Sequence, residues 1–302
     1  MTVAGLDIGG TKIEVRIFDD DWAEIARNRT DTPSDYAALV TAVVTQIQWA
    51  EDQAGPLNSV GVGAAGLVNP NTGLALTANL PASGRPFPTD IAKAANRAIT
   101  YVNDCRALAL SEAVFGIGKG HKTVMGLIIG TGIGGGIAYD GALRPGPTAT
   151  GGEFGHMAAP AHIVAAHNLP IVRCGCGRMG CIETFVAGPG LERLALHLTG
   201  QTPSAPEISA RRARDMAPVW SLWCELTAEL FYTLTMVADP DLIVLGGGVS
   251  AVPGILDDLT AAAVKAQIPN FGTAPIAIAE GGDASGARGA AYAAWKDSQD
   301  AK

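Results

Sequence analysis

Charge, aromatic rings and cysteine are all scarce in this sequence, and each scarcity narrows what the chain can be. Only 17% of residues are charged and 6% aromatic against 48% hydrophobic, so the chain lacks the polar excess of a disordered segment. Basic residues are outnumbered, 21 Lys and Arg against 29 Asp and Glu, and the net charge of −8 disfavours nucleic acid as a partner. No apolar run of about 18 residues is present to span a bilayer, so no membrane partner is expected. The opening "MTVAGLDIGG" has no basic n-region, and Asp7 interrupts its apolar residues. A secretory leader is therefore not expected, and the expected location is the cytoplasm. In that reducing compartment the five cysteines read as free thiols or metal ligands rather than disulfides.

Glycine, by contrast, is abundant and concentrated. The stretch "GTGIGGG", Gly130 to Gly136, holds five glycines in seven residues. It matches G-x-G-x-x-G, but that dinucleotide fingerprint opens a helix within a βαβ unit, and "GGGIAYDGAL" is a poor helix start. No G-K-[ST] follows, which excludes a Walker loop. At the start of the chain, residues 3–8 read as a buried strand, Gly9, Gly10 and Thr11 as a turn, and Ile13, Val15 and Ile17 as one side of a second strand. Thr32 as N-cap and Pro33 behind it predict an amphipathic helix with Tyr36, Leu39, Val43 and Ile47 on one face. Strands at 60–64 and 99–102 and a helix over 106–115 follow.

The pattern then restarts. "GLDIGGTKIEVRIFDD" from Gly5 and "GLIIGTGIGGGIAYDG" from Gly126 agree at five of sixteen places, and both read as apolar strand, glycine turn, alternating strand. Two such hairpins facing each other can hold a polyphosphate between their backbone amides, as in the actin-like ATPases. A helical pattern over 214–237 leads into "DPDLIVLGGGVS", a buried strand ending in Gly246, Gly247 and Gly248. Those glycines either let a flat ring or ribose lie against the backbone or form a tight strand-to-helix turn.

Some residues stand out chemically. Asp7 lies in the first strand, where an unpaired charge is expensive and a nearby Mg2+ would account for it. Lys12 is either a phosphate contact or an exposed turn lysine. Asp104, in "YVNDCRALALSEA", falls between a β-rich and a helical stretch, which suits a reactive carboxylate at a strand end or a helix N-cap. Cys174, Cys176 and Cys181 form C-x-C-x4-C, with glycines allowing the turns that three converging thiolates require. With one histidine they would make a tetrahedral site suited to zinc. His121, His162, His167 and His197 have no motif context, and Cys105 and Cys224 read as ordinary thiols.

From "LDIGGTK" to "GDASGARGAA" the chain resembles the ROK family of bacterial sugar kinases and repressors, most specifically in "GEFGHM" and "CGCGRMGCIE". The resemblance implies an α/β, two-domain actin-like ATPase (ribonuclease H-like) fold with a duplicated hairpin core, and ATP and sugar in the cleft between domains. It places the domains at 1–118 and 119–286, with a hinge in "GIGKGHK" and a last helix, 287–302, returning to the first. It implies transfer of phosphate from ATP to a sugar 6-hydroxyl, with Asp104 as general base and Asn79, Asn103, Glu153, His156 and Glu183 on the sugar. Asp7 would hold Mg2+ through water. Gly9, Gly10, Thr11, Lys12, Gly130, Thr131, Gly132, Gly134 and Gly246 to Gly248 would line the nucleotide. His156 would complete a structural zinc site and turn its other ring nitrogen to the sugar. The chain departs from the family at Cys105-Arg106, where Ala-Asn is usual; little effect on catalysis is expected, although Arg106 could alter the field of the cleft.

Within the family, "ANLPASGRP" together with "LPIVRCGCG" resembles the N-acetylglucosamine kinases. Small residues stand at 81–84, where many glucose and fructose kinases have a bulky Trp nearby, and this suits a 2-acetamido group. Glucokinase, fructokinase and N-acetylmannosamine kinase are the alternatives of the same class, and a homodimer is implied. A sugar-sensing repressor needs a helix-turn-helix ahead of the first hairpin, which begins at about residue 5, so the kinase is expected. A non-catalytic actin-like scaffold would leave the cysteine cluster and "GEFGH" without a role.

Overall fold

The computed structural model describes residues 1–144 and 146–300, so the last two positions of the expected helix 287–302 lie outside the described residues. Strands β1 (Val3–Ile8) and β2 (Lys12–Phe18) pair antiparallel, with Asp7 opposite Glu14 and Ile8 opposite Ile13. β3 (Glu24–Asp31) continues the sheet beside β2. It has no legible pattern in the sequence because none of its residues is fully buried. Helix α1 (Tyr36–Ala54) starts one residue after Asp35, whose side chain accepts the amide of Ala38. Thr32, predicted as the cap, instead donates its hydroxyl to Gly9 O at 2.7 Å and its amide to Thr11 O at 3.0 Å. It ties the end of β3 to the turn of the first hairpin.

β4 (Ser59–Ala64) runs parallel to β1, β5 (Leu67–Val68) and β6 (Ala75–Leu76) form a small ribbon, and α2 (Phe87–Ala94) precedes β7 (Thr100–Asn103). β7 is parallel to β4 and passes directly into α3 (Asp104–Phe115). Next come β8 (Thr123–Ile129), β9 (Ile133–Tyr139), β10 (Ala142–Leu143), α4 (Ala161–Ala166), α5 (Glu183–Val186), α6 (Gly188–Thr199) and α7 (Ala205–Ala210). The chain ends with α8 (Ala217–Ala238), β11 (Leu242–Gly246), α9 (Ile255–Ala266), β12 (Ile276–Ile278) and α10 (Ser285–Asp300). The two five-stranded sheets share one topology, β3-β2-β1-β4-β7 and β10-β9-β8-β11-β12. That is the duplication expected of the actin-like fold. Among the described residues no helix is long and apolar enough to cross a membrane.

The chain forms two compact units, one of Met1–Lys122, Gly136–Gly152 and Glu280–Lys302 and one of Thr123–Gly135 and Glu153–Ala279. This division differs from contiguous stretches meeting at residue 118. Residues 136–152 rejoin the first unit: Asp140 N donates to Lys122 O at 2.8 Å, and the Gly136 backbone lies against Arg106 and Ala109 of α3. Within that unit, leucine, isoleucine and valine side chains from α1, β1, β2 and β4 form one apolar cluster.

On the other face of the same sheet, α10 packs on β1, β4 and α3. The approach is so close that a β-carbon on Gly5 or Gly61 would fall 1.8 Å from Ala287 O or Ala290 O respectively. Only glycine fits there.

Candidate active site

In the first unit, Asn103 ends β7 and caps α3. Its Oδ1 accepts from Cys105 N at 3.0 Å and Arg106 N at 3.2 Å, and its Nδ2 donates to Gly66 O at 3.0 Å. The cap is therefore Asn103 and not Asp104. Asp104 is the first helical residue, and its Oδ1 accepts from Cys105 N at 2.9 Å. Burial raises its affinity for a proton above that of an ordinary carboxylate. Asp7 behaves likewise: burial first, then the neighbouring Asp104 and Glu14 carboxylates, push it up to about 6. The structure thus brings Asp7 and Asp104, 97 positions apart in sequence, within electrostatic reach of each other.

The first hairpin turn is held by Gly9 N donating to Lys12 O at 2.9 Å, and Gly10 lies against the backbone and β-carbon of Asn79. Thr11 and Lys12 are exposed. Sequence reasoning missed the charges beneath Asp7. Glu14 and Arg16, which the alternation of β2 placed away from the core, are 6% and 4% exposed. Arg16 donates to Glu14 and to Glu24 at 2.6 Å, and Arg29 also pairs with Glu14. Their charged, alternating positions were the available signal, but α10 covers this face of the sheet and reverses the usual reading of polar as exposed.

In the second unit, "GEFGHM" and the cysteine run converge. The ligand atoms of His156, Cys174, Cys176 and Cys181 lie within 4.8 Å of one another. His156 Nδ1 is 3.5 Å from Cys174 Sγ, and Cys176 Sγ is 3.6 Å from Cys181 Sγ. Backbone bridges Ala158 to Cys181 and Arg173 to Met179 set the loops in place. The opposite ring atom, His156 Nε2, is 3.8 Å from Glu153 Oε2, so the two faces of one imidazole meet thiols and a carboxylate. Burial pushes the Cys174 thiol up to about 12.

Glu183 joins the cluster to the second hairpin. Its Oε1 accepts from Cys174 Sγ at 3.3 Å and its Oε2 accepts from Ile133 N at 2.8 Å, directly after Gly132. A separate cavity of about 900 Å3 in this unit is lined by Gly130, Thr131, Gly188, Trp220 and Gly248 among others, a volume suited to a nucleotide-sized ligand. Gly132, Gly134, Gly246 and Gly247 do not line it. Gly247 has the turn role: its φ is +80°, and a β-carbon there would meet Ile129 O at 2.6 Å. Gly248 has open space beside it. The two readings of the C-terminal glycines thus divide between neighbours.

Known proteins resemble this chain over nearly its whole length. It is 42% identical over 293 residues to the N-acetylgalactosamine kinase AgaK of Shewanella sp. (strain ANA-3), covering 95% of this chain and 94% of the relative. It is 37% identical over 298 residues to the N-acetyl-D-glucosamine kinase of Escherichia coli (strain K12 / DH10B), covering 95% and 97%. The crystal structure of the ROK hexokinase from Thermus thermophilus superimposes with a TM-score of 0.88 at 29% identity, over 99% of this chain and 100% of that one. The sequence profile of the ROK family matches residues 3–297, and with both motifs folded into single clusters, the chain belongs to the ROK family.

Proposed function

We propose that this chain is an ATP-dependent kinase that phosphorylates the 6-hydroxyl of N-acetyl-D-glucosamine, giving the 6-phosphate and ADP. The observation that carries the chemistry is Asp104: a carboxylate of raised proton affinity at the start of α3, with the helix cap supplied by its neighbour. As the C6 oxygen attacks the γ-phosphorus and ADP leaves, Asp104 takes the hydroxyl proton. In the first unit, Asn79 and Asn103 are the proposed sugar contacts and Gly9 to Lys12 the proposed phosphate turn; in the second unit, Glu153, His156 and Glu183 are the proposed sugar contacts and Gly130 to Gly132 the proposed phosphate turn. The adenosine end occupies the cavity beside Gly130 and Gly248.

The donor set of His156, Cys174, Cys176 and Cys181 fits a structural zinc, with all four positions taken and none left for water. Asp7 would hold Mg2+, since a divalent cation offsets the two neighbouring carboxylates that resist ionising together. When bound, that ion neutralises charge on the transferring phosphoryl group.

The amino-sugar reading is supported by the 37% and 42% identities to kinases of two N-acetylhexosamines, and the second of these favours N-acetylgalactosamine as the alternative acceptor. A coupled ADP-release assay over N-acetylglucosamine, N-acetylgalactosamine, N-acetylmannosamine, glucose and fructose tests the assignment. The expected result is a kcat/KM for N-acetylglucosamine at least about tenfold above glucose. N-Acetylgalactosamine in first place would replace the acceptor and keep the class, whereas glucose or fructose in first place would remove the amino-sugar assignment.

A further inference from the structure

Glu112, in the last turn of α3, is fully buried, and a carboxylate in that position is expensive unless several donors meet it. Four do. Oε1 accepts from Gly281 N at 2.8 Å and Ser285 Oγ at 2.9 Å, and Oε2 accepts from Glu280 N at 3.0 Å and Ile117 N at 3.3 Å. Three of these donors belong to the segment that leads into α10, and Ser285 is the first residue of that helix. The next residue, Gly286, sits on Asp7: a β-carbon there would fall 2.6 Å from Asp7 Oδ2 and 2.8 Å from its carboxyl carbon. A chain of direct contacts thus runs from Glu112 through Ser285 and Gly286 to the Asp7 carboxylate. A glutamate used only to close α3 would not reach 169 residues ahead in the sequence for its partners.

We propose that Glu112 is a positioning residue for the phosphoryl-transfer site: it fixes the first turn of α10 so that the bare Gly286 backbone seats and partly dehydrates the Asp7 carboxylate. The activity arm of its test rests on the kinase reading above and on Asp7 as the carboxylate beside Mg2+. In Glu112→Gln one oxygen becomes an NH2 group that faces donors, so at least one of the four hydrogen bonds is lost. In Ser285→Ala a single hydrogen bond is lost with no change of charge. Both loosen the turn over Asp7 and admit water.

Two measurements on the full chain decide the matter. In the nucleotide-free protein, hydrogen exchange of the Glu280 and Gly281 amides and of the first turn of α10 reports directly on the segment that Glu112 holds. The expected result is exchange of these amides about tenfold faster or more in E112Q, with a smaller rise in S285A. In turnover assays the half-saturating Mg2+ concentration should rise about threefold or more while the sugar KM stays within about twofold, a split that general destabilisation would not produce. Folded E112Q and S285A with the amide exchange and Mg2+ dependence of the parent would overturn the proposal. If E112Q fails to fold, S285A alone decides it by the same two readings. A parent chain without kinase activity would sink the assigned function, while the amide exchange would still judge the positioning role.

Discussion

At the junction of β7 and α3, Asn103 accepts the amides of Cys105 and Arg106, so the carboxylate of Asp104 does not have to close the helix alone. Asp104→Asn should therefore leave α3 intact and remove proton acceptance. The expected loss in kcat is about 100-fold to 10,000-fold, with sugar affinity by calorimetry nearly unchanged. Near-parental turnover would take Asp104 out of the mechanism. Asp7 adds a dependence on pH. Its folded value, about 6, stands above its unfolded one, so between the two the native state binds more protons than the unfolded chain. Its contribution to stability is full below the ordinary aspartate range and is lost as pH rises through about 6. Asp7→Asn should then raise the Tm of metal-free protein more at pH 7.5 than at pH 5, in buffers of roughly equal ionic strength. An equal shift at both values would show that Asp7 is not held in this state.

Among the elements, the cysteine loop and α10 carry the sharpest expectations. Four ligand atoms from two separate segments meet within 4.8 Å, so metal binding should contribute folding energy directly. Freshly purified protein is expected to contain about one zinc per chain, and Cys176→Ser should lower both metal content and Tm. Because Glu183 contacts Cys174 and the amide of Ile133, that variant should lose activity as well as metal. Metal analysis that finds no zinc in unchelated protein would refute the site.

Helix α10 lies on β1 and β4 with no room for a side chain at Gly5 or Gly61. Gly61→Ala must push the helix off the sheet and should cost about 1–3 kcal/mol or more, read as a lower urea midpoint. A midpoint equal to that of the parent would contradict the close packing.

For the whole molecule, the first unit is assembled from three stretches of chain, with α10 supplied from the far end. A fragment ending at Lys122 lacks that helix and exposes the glycine-bearing face of β1 and β4, so it is expected to be unfolded by circular dichroism and amide proton dispersion. A cooperatively folding fragment would show that α10 is dispensable.

Much of this organisation was legible in the chain itself. The two hairpins were readable because a buried strand, a glycine turn and an alternating strand are local patterns, and the repeat placed them at the same point of two sheets. The cysteine triad and "GEFGHM" were readable because ligand type and spacing are local too, and the family match supplied His156 as the fourth member. What local pattern does not encode is the covering of one element by another distant in sequence. Whether Glu14 and Arg16 face water or the interior depended on α10, which arrives some 270 residues later. The same packing made a hub of Glu112, an unremarked residue in a helical run, because its donors come from positions 280, 281 and 285. The cap of α3 went to Asn103, since its φ of −65° and ψ of 142° are the extended angles of a capping residue, whereas Asp104 is already helical. Periodicity and motif spacing, together with the family resemblance, determined the class of fold and the candidate cysteine ligands, because those depend on neighbours along the chain. Tertiary structure alone decided which charges are buried and how their proton affinities move, because desolvation depends on everything that packs around a group.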